Sequence, residues 1–352
     1  MEPLELRKHA FSEWRCAPLG EVLGTGKYAS VYRSGNCAAK VMDLSGKSKR
    51  SRKQAYREHV VSMLQTILLL RAVTPQYPFH YGFTTSVEES GMTLTMFMER
   101  FEGNLLDASD RVLVDAEGWV LTTFQILHAC VCMASVFGVV HNDLYPRNVL
   151  VSELPRAERT CVSVDGVSYV FRKTFLVVVA DYGIASGKLV GAEEVPEVCA
   201  STVKVERWRH FSLQPPEAHV LQYEPTLPAF SRDPYTVLKW IFYGQKNLPR
   251  APLSVRLWAM EALRRMDEGL EAFHGEHSQL PLFHHLFHPD NLRRFGLQAF
   301  VSEATEAPSC SLRMEDKGDM VKQAADALRE LGRDESEWVT AIKNYRQNER
   351  KA

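Results

Sequence analysis

The sequence lacks the features that mark several classes of protein. Its seven cysteines include no Cys-x-x-Cys pair, so neither a zinc site nor a disulfide framework is predicted, and a reduced, intracellular setting is expected. The first residues carry charges where a secretory signal would have an apolar run. There is also no internal repeat and no long low-complexity tract. These absences leave a globular protein of the cell interior as the expected class.

The chain also lacks an excess of charge of either sign. It has 42 Lys and Arg against 43 Asp and Glu, so neither a nucleic acid nor a membrane surface is expected as a direct partner. The charges are unevenly placed, because residues 1–60 hold 12 basic and 6 acidic side chains. A positive front and a negative remainder in 352 residues predict two unlike parts.

Only one stretch is apolar enough to raise the question of a membrane. Trp119 to Val140 contains no charged residue over 22 positions, which as a helix would span about 30 Å. No basic residues flank it on one side to set an orientation, and it contains several polar side chains: Thr122, Thr123, Gln125, His128 and Ser135. We therefore predict a buried helix rather than a membrane span.

The first informative pattern is a hairpin around a glycine-containing turn. Apolar residues alternate from Leu19 to Tyr32 on both sides of Gly24-Thr25-Gly26, which is typical of two antiparallel strands. A short strand from Cys37 to Met42 follows, with Lys40 among small apolar residues.

A long helical pattern runs from about Gln54 to Arg71, with Glu58 as its single acidic residue. Met92 to Met98 reads as a strand, and the polar residues 99–104 then predict the boundary between the two parts.

The second half contains two further polar segments at the ends of apolar stretches. His141-Asn142-Asp143 and Asn148 lie between two valine-rich runs. A hairpin is predicted around Asp165-Gly166, and after it the strand Phe175 to Ala180 ends in Asp181-Tyr182-Gly183. Charged helices are expected from about Glu315 to Arg346.

These residue types suit phosphoryl transfer. That reaction needs a backbone cradle and a cation for the phosphates, oxygen ligands for magnesium, and a group that positions the attacking hydroxyl. All of these parts occur along the chain: the glycine turn, Lys40, Asp143 for the hydroxyl, and Asn148 and Asp181 for magnesium. A lone glycine turn would be weak support, but the ordered set makes chance a poor explanation.

The same set resembles the motifs of the divergent eukaryotic-type protein kinase-like superfamily, over about residues 18–300. The resemblance implies that Lys40 contacts the phosphates and pairs with Glu58, and that Asp143 is the catalytic base. It implies that Asn148 and Asp181 bind Mg²⁺. It further implies that ATP is held by Leu23, Gly24, Gly26, Val31, Ala38, Lys40, Met98, Glu99, Phe101 and Leu150.

The resemblance also implies an α+β, bilobal fold, with a small antiparallel β lobe carrying one helix and a larger, mainly helical lobe. The expected divisions are an N-terminal extension at 1–17, a small lobe at 18–98, a hinge at 99–103, a large lobe at 104–305 and a C-terminal helical tail at 306–352. Asp233 is expected to brace the catalytic loop, and the activation segment is expected to run from Asp181 to Glu217 with Ser186, Ser201, Thr202 and Ser212 as phosphosites.

The chain departs from the usual kinase pattern at several positions. Asn142 replaces the customary arginine before the catalytic aspartate. Tyr145 stands where serine/threonine kinases carry a lysine, and Arg147 stands where many tyrosine kinases carry an arginine, so the hydroxyl specificity is mixed. From Asn148 to Asp181 there are 33 positions, more than is usual in the family. The excess predicts an insertion hairpin at about 153–174, similar to those of haspin-like and large-DNA-virus kinases.

Three functions remain open at this point. The first is an ATP- and Mg²⁺-dependent protein kinase acting on a protein hydroxyl, with serine or threonine favoured. The second is a small-molecule kinase of the choline or aminoglycoside type, and the third is a pseudokinase scaffold, suggested by Asn142 and Tyr145. The expected location is the cytoplasm, with nuclear import left open by the basic run from Lys47 to Lys53.

Overall fold

The structure, a computed structural model, describes residues 3–13, 15–26, 29–44, 49–88, 91–187, 232–267, 279–298, 300 and 308–327. Most of the expected activation segment lies outside these residues, including Ser201, Thr202, Ser212 and Pro215-Pro216-Glu217. The described chain is α+β, as expected, and its arrangement is compatible with two lobes.

The N-terminal part is built on a five-stranded antiparallel sheet. After helix α1 (Pro3–Glu13) come strands β1 (Val22–Thr25), β2 (Ser30–Ser34), β3 (Cys37–Asp43), β4 (His80–Glu88) and β5 (Gly91–Glu99), in the spatial order β1-β2-β3-β5-β4. The predicted glycine-turn hairpin and the strand around Lys40 are both present.

One helix, α2 (Lys49–Leu70), connects β3 to β4. It begins five residues before the predicted start at Gln54, so the predicted boundary was wrong. The physical reason is that the Lys and Arg residues of the basic run are good helix formers. No glycine or proline follows Gly46 there to stop the helix.

The C-terminal part is mainly helical. Its described helices include α3 (Ser109–Val112), α4 (Ala116–Phe137), α5 (Arg232–Tyr243), α6 (Leu253–Asp267), α7 (Gln279–Phe287) and α8 (Pro289–Arg294). The Asp115 side chain caps α4 by accepting the N–H of Gly118, and Gly138 ends the helix in the left-handed conformation. Two short strands, β7 (Val139–Val140) and β10 (Ser186–Gly187), pair beyond that end.

A long antiparallel hairpin accompanies these helices. Its strands are β8 (Val149–Val164) and β9 (Val167–Val179), and β8 also pairs with the short strand β6 (Gly103–Asn104). The hairpin predicted around Asp165-Gly166 is present, and the predicted insertion at about 153–174 lies within its two strands. An irregularity between Glu153 and Glu158 surrounds Pro155, which cannot donate a ladder hydrogen bond and is accommodated by a bulge.

The expected helical tail also needs correction at its start. Strand β11 (Cys310–Leu312) pairs in parallel with β8, and residues 317–327 form a helix after it. Cys310 and Leu312 are buried while Ser311 between them is less so, the alternation of a strand with one face on the core. Residues 310–312 thus belong to the sheet formed by β6, β8, β9 and β11, and not to a helix.

Helix α4 is the core of the C-terminal part. Within the described ranges it alone is long and apolar enough to cross a membrane by length and composition, and its most apolar stretch is entirely buried in the protein. Phe124 lies fully buried on it, with ring centroids 5.0 to 5.3 Å from those of Tyr169, Phe171, Phe283, Phe287 and Phe300. The helix packs as the sequence predicted, and no strong membrane span is indicated.

This packing predicts the effect of truncating Phe124. Phe124→Ala would leave a cavity among the surrounding rings and is expected to lower the free energy of unfolding by about 3–5 kcal/mol. Val114→Ala, at a side chain that is 71% exposed, is the control and should change it by less than about 0.5 kcal/mol. Urea denaturation measures both. Equal effects would contradict the buried placement of α4.

Candidate active site

The ammonium group of Lys40 lies between two carboxylates. Its Nζ pairs with Oε1 of Glu58 and lies 3.0 Å from Oδ1 of Asp181. Lys40 comes from β3, Glu58 from α2, and Asp181 from the segment directly after β9. The Lys40 and Glu58 side chains are only 13% and 7% exposed, whereas that of Asp181 is 47% exposed. One partner of the cation therefore remains open to solvent.

The charges of this cluster are strongly coupled. Burial by itself lowers the pKa of Lys40, but the carboxylates of Asp181 and Glu58 outweigh it and raise that pKa above its ordinary value. The Lys40 charge lowers the pKa of Asp181, with burial acting in the opposite sense. Burial raises the pKa of Glu58 although Lys40 opposes the shift. We take Lys40 as charged, because two carboxylates share it.

A second cluster surrounds Asp143. The Nδ2 of Asn148 donates to the backbone carbonyl of Asp143 at 2.8 Å and lies 3.4 Å from its Oδ2. Burial raises the pKa of the Asp143 carboxyl, and Asp181 adds to the shift, while His141, Arg147 and Asn148 oppose it. Asp143 is thus a half-buried carboxylate with a raised pKa, and the side-chain amide of Asn148 lies next to it.

The loop that carries Asp143 is held by Asp233 at the start of α5. The two carboxylate oxygens of Asp233 accept the backbone N–H groups of His141 at 2.7 Å and Asn142 at 3.0 Å. Asp233 is 2% exposed, so these bonds are shielded from water. The structure therefore places the brace where the sequence predicted it.

His141 connects this loop to the segment that carries Asp181. Its Nε2 lies 2.9 Å from the backbone carbonyl of Ala180, and its Nδ1 accepts the N–H of Asp143 at 3.1 Å. Its ring centroid is 4.3 Å from that of Tyr182. With both ring nitrogens engaged and the side chain buried, His141 acts as a brace, in line with the sequence-based interpretation.

Two residues of the site adopt a conformation that L-amino acids rarely use. Asn142 and Asp181 both have φ of 64°, in the left-handed region where non-glycine residues carry strain. The N–H groups that Asp233 accepts on one side and the bonds to Ala180 on the other hold them there. Strain of this kind concentrates at functional sites.

The candidate nucleotide residues lie around Lys40 on the N-terminal sheet. In the strand register, Val31 is opposite Lys40 and Ala38 is opposite Met98. Ala38 and Lys40 are two residues apart and so share one face of the sheet. On the far side of the boundary, Leu150 lies two residues after Asn148 and pairs with Asn104.

The glycine turn is open around Gly24. A Cβ added to Gly24 would meet no atom within 4 Å, and Leu23 beside it is 43% exposed. The N–H of Gly26 donates to the carbonyl of Ala29 at 2.8 Å, which closes the turn. Lys27 and Tyr28 at its tip lie outside the described residues. Gly24 therefore is not required by packing at this point of the fold.

The metal-ligating capacity of the site is limited. The described residues contain no group of three or more His, Cys, Asp or Glu placed to hold a metal. Asp181 and Asn148 are neighbours, because the N–H of Ala180 donates to the carbonyl of Asn148 at 2.9 Å. This small oxygen donor set fits Mg²⁺, which commonly uses one or two protein ligands together with substrate phosphates.

Sequence reasoning missed one residue that bears on the site. Arg7 in α1 forms a two-point ion pair with Glu99, through Nε to Oε1 at 2.7 Å and Nη2 to Oε2 at 2.7 Å. The Glu99 side chain is thereby directed toward α1. Phe101 also contacts Arg7, with its ring centroid 5.8 Å from the guanidinium carbon. No local pattern in residues 1–17 signals these contacts.

No protein-family description matches the chain, and no curated protein matches it either.

The bonds of Asp233 predict the consequence of its loss. Asp233→Ala would leave two buried N–H groups without acceptors, and we expect the free energy of unfolding to fall by about 2–4 kcal/mol. Hydrogen exchange at the amides of His141 and Asn142 should become faster. Asp290→Ala, at a side chain that is 69% exposed, is the matched control and should cost less than about 1 kcal/mol. Unchanged exchange at both amides would contradict the brace.

Proposed function

We propose that this chain is an ATP- and Mg²⁺-dependent protein kinase with a bilobal, kinase-like fold. The observation that carries the proposal is the position of Lys40, whose ammonium is shared by Glu58 and by the half-exposed Asp181. Asp143 and Asn148 lie beside this cluster. Phosphoryl transfer needs three parts in one place: a cation for the phosphates, oxygen ligands for the metal, and a carboxylate that positions the attacking hydroxyl.

The residues present fit a nucleotide with its metal. Lys40 would hold phosphate oxygens, and Asp181 and Asn148 would hold Mg²⁺, which neutralises phosphate charge when bound. The open space at Gly24 allows the backbone of the turn to approach phosphates closely. Ala38, Val31, Met98 and Leu150 supply small or apolar side chains suited to an adenine ring.

Asp143 has the properties of the group that receives the acceptor hydroxyl. Burial raises the pKa of its carboxyl, and a higher proton affinity favours transfer of a proton from a hydroxyl. The amide of Asn148 fixes its orientation, and Asp233 fixes the backbone that carries it. In this account Asp143 accepts or orients the hydroxyl proton while Lys40 remains charged.

A protein hydroxyl, with serine or threonine favoured, is the proposed acceptor. Beside Asp143, the guanidinium carbon of Arg147 lies 5.2 Å from the ring centroid of Tyr145, and Arg147 is exposed. Arg147 therefore offers an exposed cation next to the catalytic group, which suits a large acceptor. Activity on amino alcohols with none on protein would instead favour a small-molecule kinase.

The proposal predicts the behaviour of Asp143→Asn. The amide keeps the size of the side chain but cannot accept a proton, so phosphate transfer from labelled ATP to the chain itself or to a panel of proteins should fall about 10²–10⁴-fold. Mass spectrometry of the product identifies the modified residue type. Asp290→Asn, on the exposed surface of α8, should retain the activity of the unaltered chain. An unaltered chain that transfers no phosphate to any acceptor contradicts the proposal.

The space at Gly24 predicts a separable effect on binding. Gly24→Ala should leave the melting temperature of the free protein unchanged and weaken Mg²⁺·ATP binding about tenfold, because the methyl group fills space that the phosphates would use. Gly318→Ala also meets no neighbouring atom but lies in the helix 317–327, so its affinity should stay unchanged. Thermal shift with ATP and Mg²⁺ measures both. Equal shifts for all three proteins would argue against a nucleotide at this turn, and no shift for any of them would favour a scaffold.

A further inference from the structure

Arg7 of α1 makes several side-chain contacts with the rest of the chain. Four hydrogen bonds leave its guanidinium: two to the Glu99 carboxylate, one from Nη1 to the carbonyl of Pro75 at 2.6 Å, and one from Nη2 to the carbonyl of Tyr77. The ring centroids of Phe79 and Phe101 lie 5.5 and 5.8 Å from its guanidinium carbon.

These contacts join α1 to the segment 99–101 and to residues 75–79. Glu99 ends β5 directly after Met98, and Phe101 belongs to the segment that leads into the C-terminal part. Residues 75–79 connect α2, which carries Glu58, to β4. The N–H of Phe79 donates to Oε2 of Glu99 at 3.1 Å, and the N–H of Glu99 donates to the carbonyl of Phe79 at 2.9 Å.

The geometry of the pair requires a guanidinium. Arg7 and Glu99 expose only 11% and 16% of their side chains, so neither charge can be satisfied by water if the other is removed. A planar fork can bind a carboxylate at two points and still donate to two carbonyls, whereas a lysine ammonium is a point charge with three donors. The loss of Arg7 would therefore leave the largely buried Glu99 carboxylate with only the N–H of Phe79 among the donors named above.

We propose that Arg7 is a positioning residue for the nucleotide: it holds the segment 99–101, whose Glu99 and Phe101 the kinase resemblance assigns to ATP, in the orientation that the nucleotide contacts. This inference rests on the proposed function. Helix α1, which precedes the sheet in the chain, would then belong to the nucleotide site, because it supplies the Arg7 cation that holds the segment 99–101. Arg7 itself does not touch the nucleotide in this arrangement.

The test measures Mg²⁺·ATP affinity directly, by calorimetric titration of the full chain, together with kcat and KM for ATP. The variants are Arg7→Ala and Arg7→Lys. Arg33→Ala is the matched control, because Arg33 pairs with Glu21 through side chains that are 46% and 64% exposed. We expect both Arg7 variants to bind Mg²⁺·ATP about tenfold or more weakly and to raise KM for ATP equally, with kcat at saturating ATP changed by less than about threefold. Arg33→Ala should match the unaltered chain.

A merely structural role for Arg7 gives a different result. It would reduce the fraction of folded protein, so kcat per total protein would fall while KM and the affinity of the folded fraction stayed the same, and that outcome overturns the inference. If Arg7→Ala does not fold, Arg7→Lys decides by the same criterion, and failure of both to fold also overturns it. If the unaltered chain binds no Mg²⁺·ATP, the proposed function itself fails.

Discussion

The site depends on one buried cation. Lys40 is placed on a central strand where water cannot satisfy it, and a buried charge is costly unless a partner of opposite sign lies against it. Glu58 and Asp181 supply that partner charge. Because they come from α2 and from the segment after β9, the Lys40 ammonium fixes how the N-terminal sheet, its helix and the C-terminal hairpin meet. A negatively charged ligand and its metal ion would replace the contact between Lys40 and Asp181, because the Asp181 side chain is already half exposed.

The hairpin explains how residues distant in sequence share this site. Asn148 immediately precedes β8. Asp181 is the second residue after β9, which ends at Val179. Val149 is paired with Val179 in the register, so the two candidate metal ligands are brought together at the base of the hairpin. The extra length lies at the other end, around Asp165-Gly166. The spacing can therefore grow without disturbing the ligands.

Local patterns in the sequence predicted the parts of the fold that depend on local physics. The alternation around Gly24 and Gly26, the helix that follows Lys40 and the uncharged run of α4 each produced the element expected. Glu58 could be assigned to Lys40 because the predicted helix contained no other acidic residue. Propensity and periodicity act over a few residues, and these features need no more.

The missed features depend on contacts between distant segments. The parallel pairing of β11 with β8 and the ion pair of Arg7 with Glu99 have no local signature. The central claim, that Lys40 and Asp181 form a nucleotide site, is tested most directly by an experimental structure with a non-hydrolysable ATP analogue and Mg²⁺. The account predicts phosphate oxygens at Lys40 and the metal at Asp181 and Asn148, with Lys40 still paired to Glu58. An analogue bound elsewhere, with the contact between Lys40 and Asp181 intact, would contradict it.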